Sequence, residues 1–148
     1  MSDAVLAPWV QPVDTSAEEA IGAISDELAM FDDWMDRYEY IIEMGRGLPA
    51  FPLEWQNDGH RVPGCQSQVW LEAHETEAGL FFAGASDAAI VSGLVALLLR
   101  VYSGRSKEEI EATDPKFLHE LGLVQALSTN RGNGVEAMAQ AIRTRARA

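Results

Sequence analysis

The stretch QVWLEAHETEAGLFFAGASDAAIVSGLVALLL, Gln68 to Leu99, decides the fold because its hydrophobic period changes once. Val69, Leu71 and Ala73 alternate with Gln68, Trp70, Glu72 and His74, the two-residue period of a half-buried strand. Glu77-Ala78-Gly79 can turn the chain, and Leu80 to Ala85 reads as the return strand of an antiparallel hairpin. From Ala88 onward the spacing becomes helical. Ile90, Leu94, Leu97, Leu98 and Val101 line one face, and Val91, Val95 and Leu99 are apolar on another. A helix apolar on most of its sides is a central one. Ser86 or Asp87 is placed to cap its start, and Gly104 suits its end.

Helices flank this unit on both sides. Thr15-Ser16-Ala17-Glu18 has capping-box spacing, followed by Ile21, Ile24 and Leu28 at helical intervals. Asp32 or Asp33 can cap a second helix, whose Trp34, Tyr38, Ile41 and Ile42 share a face and which Gly45, Gly47 and Pro49 end. Pro52 to Gly59 reads as a loop or short edge strand. Downstream, Ser106 to Glu109 is another capping box, and Asp114-Pro115 to Gly122 a short helix. Asn133 with Glu136 opens the last helix, with Val135, Met138, Ala139 and Ile142 inward and Arg143, Arg145 and Arg147 at its C-terminal end. Segregated blocks of helices and strands predict an α+β fold, a small antiparallel sheet packed against helices. One domain is expected over residues 15–148, preceded by a loose tail over 1–14.

Composition narrows the function. With 148 residues and 47% hydrophobic content, one domain can bury a sizeable core. No apolar run is long enough to cross a bilayer, and Met1 to Asp14 lacks a basic leader, so the cytoplasm is expected. A net charge of −12 argues against nucleic acid and fits solubility or a basic protein partner. A single cysteine excludes an internal disulfide, a CxxC pair and a cysteine-rich metal site. His60, His74 and His119 show no zinc-ligand spacing, so no metal is expected.

That cysteine, Cys65, lies in RVPGCQSQVWL, Arg61 to Leu71. Free cysteine is often only a small buried hydrophobe. Here Pro63 fixes one torsion and Gly64 permits a positive one, a tight turn that places the side chain at a rim. Chemistry there requires a thiolate, to which nearby His60 and Arg61 could lend positive potential. A cysteine hydrolase would need a base, and no local signature links His60, His74 or His119 to Cys65. A disulfide oxidoreductase would usually have a resolving cysteine. A lone presented thiol suits acceptance of one sulfur atom as a persulfide.

GCQSQVW, Gly64 to Trp70, resembles the active-site motif of the SufE family of sulfur acceptors. WMDRYEYIIEMGRGLP (Trp34 to Pro49), SDAAIVSGLVALL (Ser86 to Leu98) and LSTNRGNGVEAMAQAIR (Leu127 to Arg143) resemble other segments of that family in the same order. The resemblance implies a SufE/IscU-like fold. It implies that Cys65 takes persulfide sulfur from a SufS-type, PLP-dependent cysteine desulfurase, stimulates it, and passes sulfur to a SufBCD-type scaffold for iron–sulfur cluster assembly. The PLP belongs to the partner, and no cofactor is implied here. Gly64, Gln66 and Ser67 match the loop motif. Asp87 matches an aspartate near the cysteine loop, and Arg131 an arginine that contacts the desulfurase. Departures are the long N-terminal tail with Trp9 and the stiffening Pro63. The alternative is an allosteric activator or binding module for the desulfurase, without obligatory sulfur carriage.

Overall fold

The computed structural model describes residues 8–64, 67–126 and 129–147, with backbone alone for 125, 126 and 129–133. Two N-terminal helices, α1 (Ala17–Ala29) and α2 (Trp34–Arg46), precede a 3-10 turn at Leu53–Trp55. The hairpin β1 (Val69–Thr76) and β2 (Gly79–Ser86) follows, then α3 (Ala89–Tyr102). The chain ends with α4 (Lys107–Ala112), α5 (Phe117–Glu120), α6 (Leu123–Ala126) and α7 (Thr129–Arg147). The strands pair antiparallel in a register running from Val69↔Ser86 to Thr76↔Gly79, so the turn is the two residues Glu77-Ala78. The segregated α+β order expected from the hydrophobic periods is the order observed.

α3 is the hub. It packs against α1, α2, β2 and α7, which is why Leu94, Val95, Leu97, Leu98 and Leu99 are all essentially inaccessible. Its approach to α2 depends on two glycines. A Cβ on Gly93 would sit 2.2 Å from the Ile41 carbonyl oxygen, and one on Gly45 would sit 2.6 Å from the Gly93 nitrogen. Against the hairpin, Gly84 leaves space for Val95 and Leu99. Leu71, Leu80 and Phe82 face this main core.

The other face of the hairpin is not solvated, contrary to the half-buried strand expected. Trp9, Phe81 and Ala83 form a second buried cluster with Phe51 and Trp55 against it. Trp9 stacks on His74 at 5.2 Å between ring centroids, and Trp55 stacks on His60 at 5.9 Å. The loose tail expected through Asp14 is therefore corrected for its described part. Val10 N–H donates to the Phe82 carbonyl at 2.8 Å, and Ser103 Oγ donates to the Val10 carbonyl at 2.7 Å while accepting from Phe82 N–H at 2.9 Å. The Gly104-Arg105 segment pairs with Leu80 beside them. These contacts occupy the edge of β2 at Leu80 and Phe82, which an unpaired strand would leave as a template for aggregation. Residues 1–7 lie outside the described residues.

Arg105 and Arg100 anchor the same segment. Arg105, 4% exposed, donates to the carbonyls of Val101, Arg100 and Asp14. A cation at the carbonyl end of α3 also suits the helix dipole. Arg100 binds Asp14 at 3.0 Å and Glu27 at 2.9 Å, tying the N-terminal segment, α1 and α3 together.

The helix starts refine the reading of the caps. Ser16, one residue beyond the expected Thr15, caps α1 by accepting from Glu19 N–H, and Asp33 caps α2. Ser106 caps α4, but Glu109 does not close the box. Its carboxylate instead accepts from Ala17 N–H at 2.7 Å, joining α4 to the start of α1. Pro52 to Gly59 is a 3-10 turn and loop with no strand. α5 starts at Phe117, because Pro115 lies in the preceding turn whose carbonyl accepts from Leu118 N–H. α7 starts at Thr129, four residues before the expected Asn133.

Candidate functional site

The segment before β1 runs back along it. Val62 N–H donates to the Val69 carbonyl at 2.8 Å, Leu71 N–H donates to the His60 carbonyl at 2.9 Å, and Arg61 bridges Trp70. The Val62–Val69 contact thus brings together the two ends of the 63–68 segment, called here the loop. Pro63 and Gly64 are exposed, and Gly64 has φ +86, the left-handed torsion that glycine adopts without penalty. A Cβ there would lie 3.3 Å from Ala137 Cβ of α7, so the loop's first half rests against that helix.

The loop's second half is clamped to the entry of α3. Asp87 Oδ1 accepts from Gln68 N–H at 3.0 Å, Asp87 N–H donates to the Gln68 carbonyl at 3.3 Å, and Ser86 Oγ donates to that carbonyl at 2.7 Å. This explains why the expected cap of α3 is not made. The N-cap position falls to Ala88, which has no capping side chain. Asp87 is turned toward the loop, while Ser86 Oγ accepts from Ala88 N–H at 3.3 Å. The residues that look like helix caps in the sequence hold the loop.

The expected site residues are brought together in part. Gly64, Ser67 and Asp87 lie on or against the loop. Cys65 and Gln66 fall outside the described residues. Arg131 is in the first turn of α7, within a helix and not in a loop before one, and its side chain lies outside the description. Among the described residues no group of three His, Cys, Asp or Glu side chains could hold a metal.

Below the loop is a polar cluster that the sequence did not reveal, because its members lie far apart along the chain. His60 Nε2 lies 2.7 Å from Glu72 Oε2. Glu72 Oε1 accepts from Ala73 N–H at 2.8 Å and from Arg145 Nη1 at 3.3 Å. Burial opposes charge on Glu72, yet the Ala73 N–H, His60 and Arg145 together hold its carboxyl below the usual carboxylate range. His60 Nδ1 lies 3.0 Å from Asn57 Oδ1, and Asn57 Nδ2 donates to the Glu54 carbonyl, which orients the amide. Both ring nitrogens of His60 are thus engaged away from the loop. His74 stacks on Trp9, and His119 faces Glu136 at 3.4 Å.

A small α+β protein with a hairpin-borne loop, clamped at both ends and carrying the sole cysteine, defines the class. The chain matches the family model SufE, the Fe-S metabolism associated domain, over residues 22–146. It belongs to the SufE family. An uncharacterized SufE-like protein of Rhizobium etli is 41% identical, over 86% of this chain and 90% of that protein. One of Rhizobium meliloti is 40% identical, over 86% and 94%. The solution structure of a hypothetical protein from Thermus thermophilus superposes with a TM-score of 0.70, covering 88% of this chain and 93% of that one. At 20% identity that likeness concerns the fold. Family membership places the chain in iron–sulfur metabolism. No helix among the described residues is long and apolar enough to cross a membrane.

Proposed function

We propose that this protein is a sulfur carrier of the cytoplasm that accepts sulfur on Cys65 from a PLP-dependent cysteine desulfurase. It stimulates that enzyme by removing its product, and delivers sulfur to a SufBCD-type scaffold. The carrying observation is the 63–68 loop. Its two ends are tied to β1 and to Ser86-Asp87, a fixed base that supports the reading of Cys65, which lies between them in the sequence, as the acceptor. In the transfer step the Cys65 thiolate attacks the outer sulfur of the donor's persulfide. The bond from that sulfur to the donor cysteine breaks, and the donor leaves as a thiolate. No oxidant is required, and the PLP chemistry stays in the partner.

Asp87 acts in this reading through Gln68, as a positioning residue for the loop. Arg131 is assigned to the desulfurase contact, where truncating a desolvated charge pair costs about 2–5 kcal/mol. Calorimetric titration of Arg131→Ala with desulfurase is expected to show weaker binding with unchanged folding, and equal affinities would remove that assignment. The functional test is desulfurase turnover with wild type and with Cys65→Ser. Carriage predicts that the serine variant binds but does not stimulate. Full stimulation by Cys65→Ser would instead identify an allosteric activator that carries no sulfur.

A further inference from the structure

A pocket of about 450 Å³ lies between the 59–63 segment and α7, with His60, Arg61, Pro63, Ala137, Ala141 and Arg145 in its lining. That size is within the range of small-molecule sites. The protein carries a net charge of −12, yet the lining holds two arginines and a histidine and no carboxylate side chain. The groove over α2, with Asp36, Glu39 and Glu43 in its lining, has the opposite character. Arg61 is exposed and makes no side-chain ion pair or hydrogen bond to another described residue. Arg145 reaches only Glu72 Oε1, at 3.3 Å, an oxygen that already accepts from Ala73 N–H. The pocket therefore offers one guanidinium uncommitted among the described residues and one weakly committed, above walls of Val62, Leu71, Ala137 and Ala141. From Pro63, at its rim, two residues of chain lead to Cys65, a reach of at most about 7 Å.

We infer that this pocket binds a small thiol bearing carboxylates, and that such a thiol can discharge the carrier. Arg61 and Arg145 take the carboxylates, and the aliphatic walls take the rest of the molecule. The discharge step rests on the carrier reading; the binding does not. In that step the incoming thiolate attacks the outer sulfur of the Cys65 persulfide. The bond from that sulfur to Cys65 Sγ breaks, Cys65 leaves as a thiolate, and the incoming thiol's proton goes to solvent. By holding the carboxylates, Arg61 and Arg145 fix the thiol's approach, and their positive charge favours its thiolate.

The probe for binding is S-methylglutathione, which has the carboxylates but cannot exchange sulfur. Titration followed by amide resonances is expected to saturate, with shifts at Arg61 and Ala137, and to weaken with added salt. Arg61→Ala is expected to bind roughly two- to fivefold more weakly, the worth of an exposed charge pair. For discharge, persulfidated protein is mixed with glutathione or with uncharged 2-mercaptoethanol. The rate should saturate with glutathione and rise linearly with 2-mercaptoethanol. Absence of binding, or binding insensitive to both salt and Arg61→Ala, would overturn the site. Linear kinetics with both thiols would overturn its role in discharge. Because the methylated ligand needs no sulfur on Cys65, the binding arm decides the pocket even if loading fails.

Discussion

At the scale of single residues, Asp87 and Gly64 show how the loop is held. Asp87 is at a helix start in the sequence, where an acidic residue ordinarily caps or complements the dipole. In the fold its carboxylate takes Gln68 N–H, and α3 goes without a side-chain cap. Asp87→Ala is expected to cost about 1 kcal/mol, the net worth of one such bond. It should slow sulfur acceptance by much more than that loss of stability implies, because the loop loses one clamp. Urea unfolding and persulfide loading on the same variant check both halves, and unchanged loading would make the bond merely structural. Gly64 is sensitive for a different reason. Its φ of +86 and the 3.3 Å approach to Ala137 both oppose a side chain, so Gly64→Ala should lose about 1–2 kcal/mol by unfolding.

At the scale of elements, the hairpin and α3 were legible because their periods are unambiguous and because β-branched and aromatic residues sit where a strand needs them. The N-terminal segment was not legible. Pro8 and Pro12 interrupt any period, and its docking depends on Trp9, Val10 and Asp14 meeting His74, Phe82, Ser103 and Arg105, which are remote in sequence. The pocket beside the loop was hidden for the same reason, since Arg61 and Arg145 are 84 residues apart in the sequence. The reading of Ser86 or Asp87 as the cap of α3 failed because a capping residue and a loop clamp use the same side chains, whereas the place near the loop that the family resemblance implied for Asp87 agrees with its bond to Gln68. Two predictions belong here. Trp9→Ala should destabilise by about 3 kcal/mol, as expected of a buried tryptophan, whereas a loose tail would give no change in the unfolding midpoint. Gly93→Ala should cost about 3 kcal/mol or prevent folding, because its Cβ would meet the Ile41 carbonyl at 2.2 Å. Retention of the wild-type melting temperature would contradict the close crossing of α2 and α3.

At the scale of the whole molecule, charge ties the parts together and sets an acid limit. Arg100 holds the Glu27 carboxyl below its usual range, with Tyr40 O–H contributing and burial opposing. A carboxyl lowered in the folded state adds stability above its unfolded value, and loses it as pH falls through the folded value. The stability gap between wild type and Glu27→Gln should therefore be constant near neutrality and shrink below about pH 4.5. Thermal melts across that range check this, and a gap that widened toward acid would reverse the assigned sign.

The central claim is that the clamped loop presents Cys65 to receive sulfur. Intact-mass measurement after incubation with a cysteine desulfurase, PLP and cysteine addresses it most directly. Sulfur carriage predicts that the protein gains sulfur, that a reductant removes it, and that peptide mapping places it on Cys65. A protein of unchanged mass that still accelerates the desulfurase would contradict it.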